Sequence, residues 1–558
     1  MIRPDTVSGA LAAAAHTPCG MTTIEHDGQT RTMAYATLLA ESLVLAGALV
    51  AAGLEEGDRV ALVVPEVRDF LCAFFAITAA GCVPIPLAPP VQAGDVLNYA
   101  RQSRRLLAAG RAAAVVASRD VAPLLDVSDL DGTPRVLTID ALRDGPALRA
   151  PVAVPMDAPA LVQFTSGSTA APKGVVLTHA NLHANVNAID AGLDITPADV
   201  GISWLPLYHD MGLIGMAIEA VYAQASAVIM SPVLFLKRPT AWLDALSRYR
   251  GTISFAPNFA YDLCVRRVKP SQIDALDLSS WRVAGCGAEP VRADTLAAFA
   301  DRFGRAGFRA SSFVPSYGLA EHVLAVTFAR DGLTVDTVDG DRLVKESIAV
   351  PLVNGSAASA RTVRIVGCGR PFPEHAVQVV DEDGEPSPER HVGEIAARGP
   401  SVMSGYFDDT EATAEALGGG WLHTGDLGYM AGGQLFVCGR TKDLIVRQGR
   451  KYHPPDLESA IAGLEGLRPS GVVVFGINRI NEADEVIAVL EARGASLIAR
   501  DIVNDVRRRV REASGLELDR VLVMPPGTIP RTTSGKVRRA ETRARFEAGT
   551  LLTGGTDI

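Results

Sequence analysis

The sequence predicts an α/β protein. Its large amino-terminal domain is made of doubly wound α/β subdomains plus a β-rich subdomain, and a small, mobile α/β carboxy-terminal domain follows. Three observations carry that expectation. Apolar runs of helical and of strand length alternate over about residues 1–330. From about Gly332 to Arg440 the texture changes to short strand-like runs between Gly, Pro and Asp turns. After Arg440 a compact stretch again mixes strand and helix patterns.

Residues 35–52 carry apolar side chains at helical spacing and stop at Gly53. Residues 58–65 read as a buried strand. The stretch 70–91 is nearly all apolar, but Gly81, Pro84 and Pro86 interrupt it. It therefore predicts a buried helix over 70–80 and a strand over 83–87, not a bilayer span. Strand-like runs at 112–117, 161–164, 251–256 and 280–285 continue the rhythm, and 377–380, 393–397 and 434–437 are the strands of the β-rich region. Beyond Thr441-Lys442-Asp443, strands are expected at 471–476 and 486–491 and a helix at 501–513. That helix has Ile502, Val503, Val506 and Val510 on one face. Its other face carries Arg507, Arg508, Arg509 and Arg511, read as solvated, with docking of an acidic partner as the sharper alternative. The expected boundaries are 1–440, with the β-rich part over about 331–440, a hinge at 441–443, and 444–558.

A chain of 558 residues is too long for one ordinary core. With 48% hydrophobic and 21% charged residues it has the composition of a soluble globular protein. A net charge of −10 argues against a nucleic-acid partner. The seven cysteines are odd in number and lack any C-x-x-C spacing, which fits reduced thiols in the cytoplasm. Met1-Ile2-Arg3-Pro4-Asp5 does not open a signal peptide. A soluble cytoplasmic protein, not an integral membrane protein, is expected.

The most informative run is Thr165-Ser166-Gly167-Ser168-Thr169-Ala170-Ala171-Pro172-Lys173-Gly174, directly after the strand at 161–164. Small residues let backbone close on phosphate oxygens, hydroxyls donate hydrogen bonds, and Lys173 adds positive charge. Pro172 before Lys173 and Gly174 after it exclude a Walker P-loop. Further runs follow in order. Ser203-Trp204-Leu205-Pro206-Leu207-Tyr208-His209-Asp210-Met211-Gly212-Leu213-Ile214-Gly215 mixes apolar and polar groups as a cavity lining would. Gly285-Cys286-Gly287-Ala288-Glu289-Pro290 is a small-residue turn after a strand read at 281–284, the kind of place where α/β sheets bind nucleotides. Ser316-Tyr317-Gly318-Leu319-Ala320-Glu321 offers a ring to stack on a base and a carboxylate for Mg²⁺. Thr424-Gly425-Asp426-Leu427-Gly428 reads as a tight turn whose carboxylate can hold ribose hydroxyls, with Arg440 at the end of a later strand. Pro530-Arg531-Thr532-Thr533-Ser534-Gly535-Lys536 presents a lysine on a loop.

Taken together, and over about residues 32–539, these motifs resemble the acyl-adenylate-forming superfamily. Within it the sequence resembles the fatty acyl-AMP ligases, on the runs 204–215, 287–293 and 366–373 and on a segment at 333–364 placed where those ligases carry an insertion. The resemblance implies a two-step enzyme using ATP and Mg²⁺ to make an acyl-AMP. The acyl group then passes to the phosphopantetheine thiol of an acyl carrier protein. It implies Lys536, Glu321 and His209 in catalysis, with Glu321 the Mg²⁺ ligand. Thr165, Ser166, Gly167, Ser168, Thr169, Lys173, Gly287, Ala288, Glu289, Pro290, Ser316, Tyr317, Gly318, Asp426, Arg440 and Lys536 would hold the nucleotide. His209, Asp210, Met211, Gly212, Leu319 and Ala320 would hold the acid. Asp443 would be the hinge, and the insertion would restrain the small domain and disfavour CoA. Ala170, Cys286, His322-Val323 and Lys451 depart from the family pattern; Cys286 and His322 are expected near the nucleotide or acyl pocket, and Lys451 facing the acceptor. The alternatives are an acyl-CoA synthetase using free CoA and an inactive nucleotide-binding module.

Overall fold

The computed structural model describes residues 5–90, 96–128, 130, 132–165, 172–352, 361–447, 450–464, 466–477, 485–492, 499–532, 537–551 and 556–557. The described residues form an α/β body of several sheets. The largest has nine strands and a parallel centre, in which Val283–Cys286, Ile253–Ala256, Val200–Ser203 and Ser226–Met230 lie side by side. A four-stranded parallel sheet is built on Arg59–Val63 and Ala114–Ala117. Between the two sheets runs the helix Val67–Ala79, apolar on almost every side and buried accordingly. Its first N–H groups, those of Val67 and Arg68, donate to the Glu25 carboxylate at 3.0 and 3.2 Å. The apolar stretch after residue 70 is thus core helix and core strand, as its Gly and Pro breaks imply. Among the described residues no helix is long and apolar enough to cross a membrane.

A three-stranded antiparallel sheet joins Pro159–Phe164, Gly174–Thr178 and Gly405–Tyr406. Ala376–Val380, Gly393–Arg398, Leu422–Ala431 and Gln434–Arg440 form an antiparallel four-stranded sheet in the β-rich region. Among the described residues of the segment at 333–364, Val335–Asp339 pairs antiparallel with Thr362–Val366 in a hairpin, and a short helix Gly340–Glu346 follows its first strand. It reaches the carboxy-terminal part of the chain. Arg361 donates to the Ser514 carbonyl and pairs with Asp341 at 2.9 Å, while Val344 packs on the core around Ile445, Tyr452 and Val506.

That smaller part has its own sheet, Leu467–Ile477, Glu485–Ala492, Arg520–Met524 and Thr556–Asp557. Helices Pro454–Ile461 and Ala499–Ser514 contribute to the core on one side and Arg539–Glu547 to that on the other. Ile502, Val503, Val506 and Val510 are buried as their spacing requires. On the opposite face Arg508 pairs with Asp505 and Glu512, and Arg511 with Glu517. Acidic neighbours on the same surface therefore offset much of the positive charge read there.

Two local readings are corrected. The strand read at 281–284 is Val283–Cys286, so Gly285 and Cys286 are part of it and the turn begins at Gly287. Trp281 instead anchors the aromatic core, its indole N–H donating to the Val283 carbonyl at 2.7 Å. Asp426 is not in a tight turn. It sits within the strand Leu422–Ala431, where Gly425 at φ +69° and a register shift at Leu427/Gly428 bend the backbone.

Candidate active site

A cleft of about 3010 Å³ lies where the nine-stranded sheet, the β-rich sheet and the carboxy-terminal part meet, and most of the described candidate residues open on it. The strands Pro159–Phe164 and Gly174–Thr178 pair antiparallel on either side of the predicted phosphate-binding run. Ser166, Gly167, Ser168, Thr169 and Ala170 lie outside the described residues. Of the described residues that flank them, the Thr165 N–H donates to the Lys173 carbonyl at 3.1 Å, and Thr165 and Lys173 both line the cleft.

Lys173 and Glu321 are joined by a residue that no sequence motif marked. The Lys173 ammonium sits 4.7 Å from the centre of the Tyr406 ring, and the Tyr406 hydroxyl donates to Glu321 Oε1 at 2.9 Å. Tyr406 arrives there because Gly405–Tyr406 pairs with the strand that follows Lys173, Tyr406 opposite Val175. Burial raises the Glu321 pKa, and the hydrogen bond from Tyr406 opposes that rise. Just beyond Glu321 the chain makes a tight γ-turn. Val323 has φ +64° and ψ −65°, and the Leu324 N–H donates to the His322 carbonyl at 2.7 Å. A β-branched residue in this conformation is strained, and strain of this kind gathers at functional sites.

Asp426 and Arg440 face each other across adjacent strands. Asp426 Oδ1 meets Arg440 Nε at 2.9 Å, and Oδ2 accepts from the Tyr317 hydroxyl at 2.8 Å. Asp426 is buried while Arg440 is exposed toward the cleft. Ser316, Tyr317 and Gly318 end the strand Phe313–Gly318, with the Tyr317 ring backed by Val326, Cys368 and Ile395. A Cβ on Gly318 would lie 1.9 Å from the Leu324 carbonyl, so only glycine fits beside the γ-turn. Gly287 backs onto Ser316, Ala288 holds φ +65°, and Ala288, Glu289 and Pro290 line the cleft. Glu289 also accepts from the Phe259 N–H at the start of helix Asn258–Arg267, at 2.6 Å.

His209, Asp210 and Met211 line the cleft where a short helix begins, with Asp210 Oδ1 accepting from the Met211 N–H at 2.7 Å. Gly212 lies behind them at a small side cavity shared with Trp204 and Pro257. The next turn, Leu213–Ile218, is π-helical, a wider coil found often beside functional sites. Leu319 and Ala320 line the cleft opposite. Cys286 and His322, expected near the pocket, are both fully buried and neither lines it. Each occupies an inward-facing position, and small or strained neighbours form the cleft surface instead.

Lys536 lies outside the described residues. On either side of it, Arg531 bridges to Val537 and the Arg538 N–H donates to the Pro530 carbonyl at 2.9 Å; Pro530, Arg531, Thr532, Val537 and Arg538 all line the cleft. Asp443 is bound to Arg539, which also holds Glu458 at 2.8 Å. Lys451 pairs with Glu382 on a turn of the β-rich sheet, at 2.8 Å. Among the described residues no group of three or more His, Cys, Asp or Glu side chains is arranged to hold a metal ion by itself.

A family model described as "AMP-binding enzyme" matches residues 11–407. The chain is 37% identical to a putative acyl-CoA synthetase of Caulobacter vibrioides, over 98% of this chain and 96% of that protein. It is 34% identical to the medium-chain-fatty-acid–[acyl-carrier-protein] ligase JamA of Moorena producens, over 89% and 87%. A solved structure from studies of fatty acyl-adenylate ligases of E. coli and L. pneumophila superposes with a TM-score of 0.91, at 37% identity and over 98% of each chain.

Proposed function

This chain belongs to the AMP-binding enzyme family, and from that premise we propose how its cleft divides the work of a fatty acyl-AMP ligase. The enzyme is an acyl-adenylate-forming ligase that consumes ATP. An oxygen of the acid's carboxylate attacks the α-phosphorus of ATP, the bond to the bridging oxygen breaks, and pyrophosphate leaves with the electron pair. Two anions meet in this step, so alignment and charge neutralisation dominate the barrier.

In this reading Lys173, Thr165 and the loop Ser166, Gly167, Ser168, Thr169 hold the phosphates. Gly287 to Pro290 and Ser316 to Gly318 frame the base. Asp426, fixed by Arg440 and Tyr317, takes the ribose hydroxyls. His209, Asp210, Met211, Gly212, Leu319 and Ala320 shape the entrance for the acid. Lys536 bridges the carboxylate and the α-phosphate. Glu321 fits Mg²⁺: it is one hard carboxylate beside a phosphate site, the donor set that this ion completes with substrate oxygens and water. Bound there, Mg²⁺ supplies neutralising charge to the phosphates.

One observation carries the reading. Lys173, Tyr406, Glu321, the Asp426–Arg440 pair and the Pro530–Thr532 segment of the small domain all open on one cleft. The acceptor is proposed to be the phosphopantetheine thiol of an acyl carrier protein, reached when the small domain turns about Asp443 and Lys451 leaves Glu382. Support comes from the hairpin at 333–364, whose Arg361 and Val344 hold the small domain. We place the reaction in the cytoplasm, where the seven unpaired cysteines would stay reduced. The test is ATP–pyrophosphate exchange with and without fatty acid: exchange that requires the acid supports the reading, and none with any acid refutes it.

A further inference from the structure

The cleft has an apolar stretch of wall, called here its arm. Ile189 of helix His179–Leu193 and Leu324, Phe255 and Phe328 of the nine-stranded sheet and its adjoining turn belong to it. Phe255 stands on the strand Ile253–Ala256, in register with Gly285 of the neighbouring strand. Ser254 accepts the Trp242 indole N–H at 2.9 Å on one face of the sheet, so Phe255 projects from the other, toward the arm.

Its ring has little freedom to move aside. It lies over Gly285, where an added Cβ would come within 2.0 Å of the ring. Phe328 is its aromatic neighbour, with ring centres 5.6 Å apart, and Phe328 meets Phe372 edge-on at 5.0 Å. Phe372 in turn fills the space above Gly192, where a Cβ would sit 2.8 Å away. The glycines make room for the rings, and the rings brace one another from the helix to the cleft. Phe255 is the member of this row at the strand nearest the parallel centre of the sheet, buried yet part of the cleft wall.

We propose that Phe255 sets the depth of the acyl-binding arm, so that the enzyme selects linear acids short enough to end against its ring. The inference rests on the adenylation reading above, which makes the apolar arm the acyl site. A braced ring cannot rotate away for additional methylenes, so each carbon beyond it must displace packed side chains.

The experiment measures pyrophosphate release by the full-length enzyme with Mg-ATP and linear acids from butanoic to hexadecanoic. Wild type is compared with Phe255→Ala and Phe255→Leu. The proposal expects Phe255→Ala to raise the kcat/KM ratio of dodecanoic over hexanoic acid by roughly tenfold or more, with Phe255→Leu between the two. Should Phe255→Ala fail to fold, the same ratio is read from Phe255→Leu. An unchanged ratio in a wild type and variant that both turn over acid overturns the proposal. A wild type inert with every acid overturns the adenylation reading instead.

Discussion

The Tyr406 hydroxyl donates a 2.9 Å hydrogen bond to Glu321 Oε1, and the same residue's ring carries the Lys173 ammonium 4.7 Å from its centre. A single side chain therefore spaces the ammonium proposed to bind phosphate from the carboxylate proposed to hold Mg²⁺. Its loss should be felt at both. Tyr406→Phe keeps the ring and removes the hydrogen bond to a charged acceptor, a contact worth about 1.5–3 kcal/mol. We expect adenylation to fall roughly tenfold or more with a higher Mg²⁺ requirement, and Tyr406→Ala to fall further. A Mg²⁺ titration of pyrophosphate release that superposes on wild type for Tyr406→Phe contradicts this role.

Lys536 is assigned to the one step in which charge builds on the α-phosphate. Lys536→Ala should lower adenylate formation by roughly 10²–10³, as removal of one preorganised donor does elsewhere. Transfer from chemically supplied acyl-AMP should be affected far less. Near-normal adenylate formation by the variant would remove Lys536 from the mechanism.

Asp443 is held by Arg539, itself bound to Glu458, so the proposed hinge residue is tied to the segment that follows Lys536. Asp443→Pro should separate the half-reactions, leaving one near wild type and disabling the other. Stopped-flow measurement of each step decides it; two unaltered rates mean the pivot is elsewhere.

Arg361 joins the hairpin at 333–364 to Ser514 at the end of a small-domain helix. Arg361→Ala cuts this tie. If the hairpin restrains the small domain, the variant should form acyl-CoA at a rate above wild type when CoA is supplied. Equal acyl-CoA formation by the two proteins would leave the hairpin with no part in acceptor choice.

His179, His322 and His453 are buried, and burial lowers each pKa to about 4; His375 beside His322 adds to the effect there. Unfolded histidine titrates near 6.5. Between those values the unfolded chain binds protons that the folded chain refuses, so stability falls as pH drops from about 6.5 to about 4. Each site contributes at most about 3 kcal/mol to that loss. Thermal melts across this range should show the decline, and His322→Gln should make it shallower. An identical slope for the variant would show that His322 takes no part.

Much of this was legible because composition and order carry it. The helix at 35–52 appears as Tyr35–Ala51, and Thr165 and Lys173, the described residues flanking the hydroxyl-rich run, both line the cleft. Tyr406 was not legible: it reaches Glu321 through strand pairing between distant segments, and a Gly-Tyr pair in a loop signals nothing locally. Asp426 was misread because Thr-Gly-Asp-Leu-Gly has the composition of a turn, whereas pairing of Asp426 with Arg440 on one neighbouring strand, and of Leu427 with Glu394 on the other, keeps it within a strand. Phe255 was silent for another reason. An aromatic in a short buried strand looks the same whether it faces core or substrate, and only Gly285 and Phe328 in space distinguish them.

The most direct measurement is mass spectrometry of the products formed from Mg-ATP and a panel of linear fatty acids, with and without CoA. The account predicts acyl-AMP in both mixtures and no acyl-CoA in the second. Acyl-CoA accumulating when CoA is present, or no acyl-AMP with any acid, would contradict it.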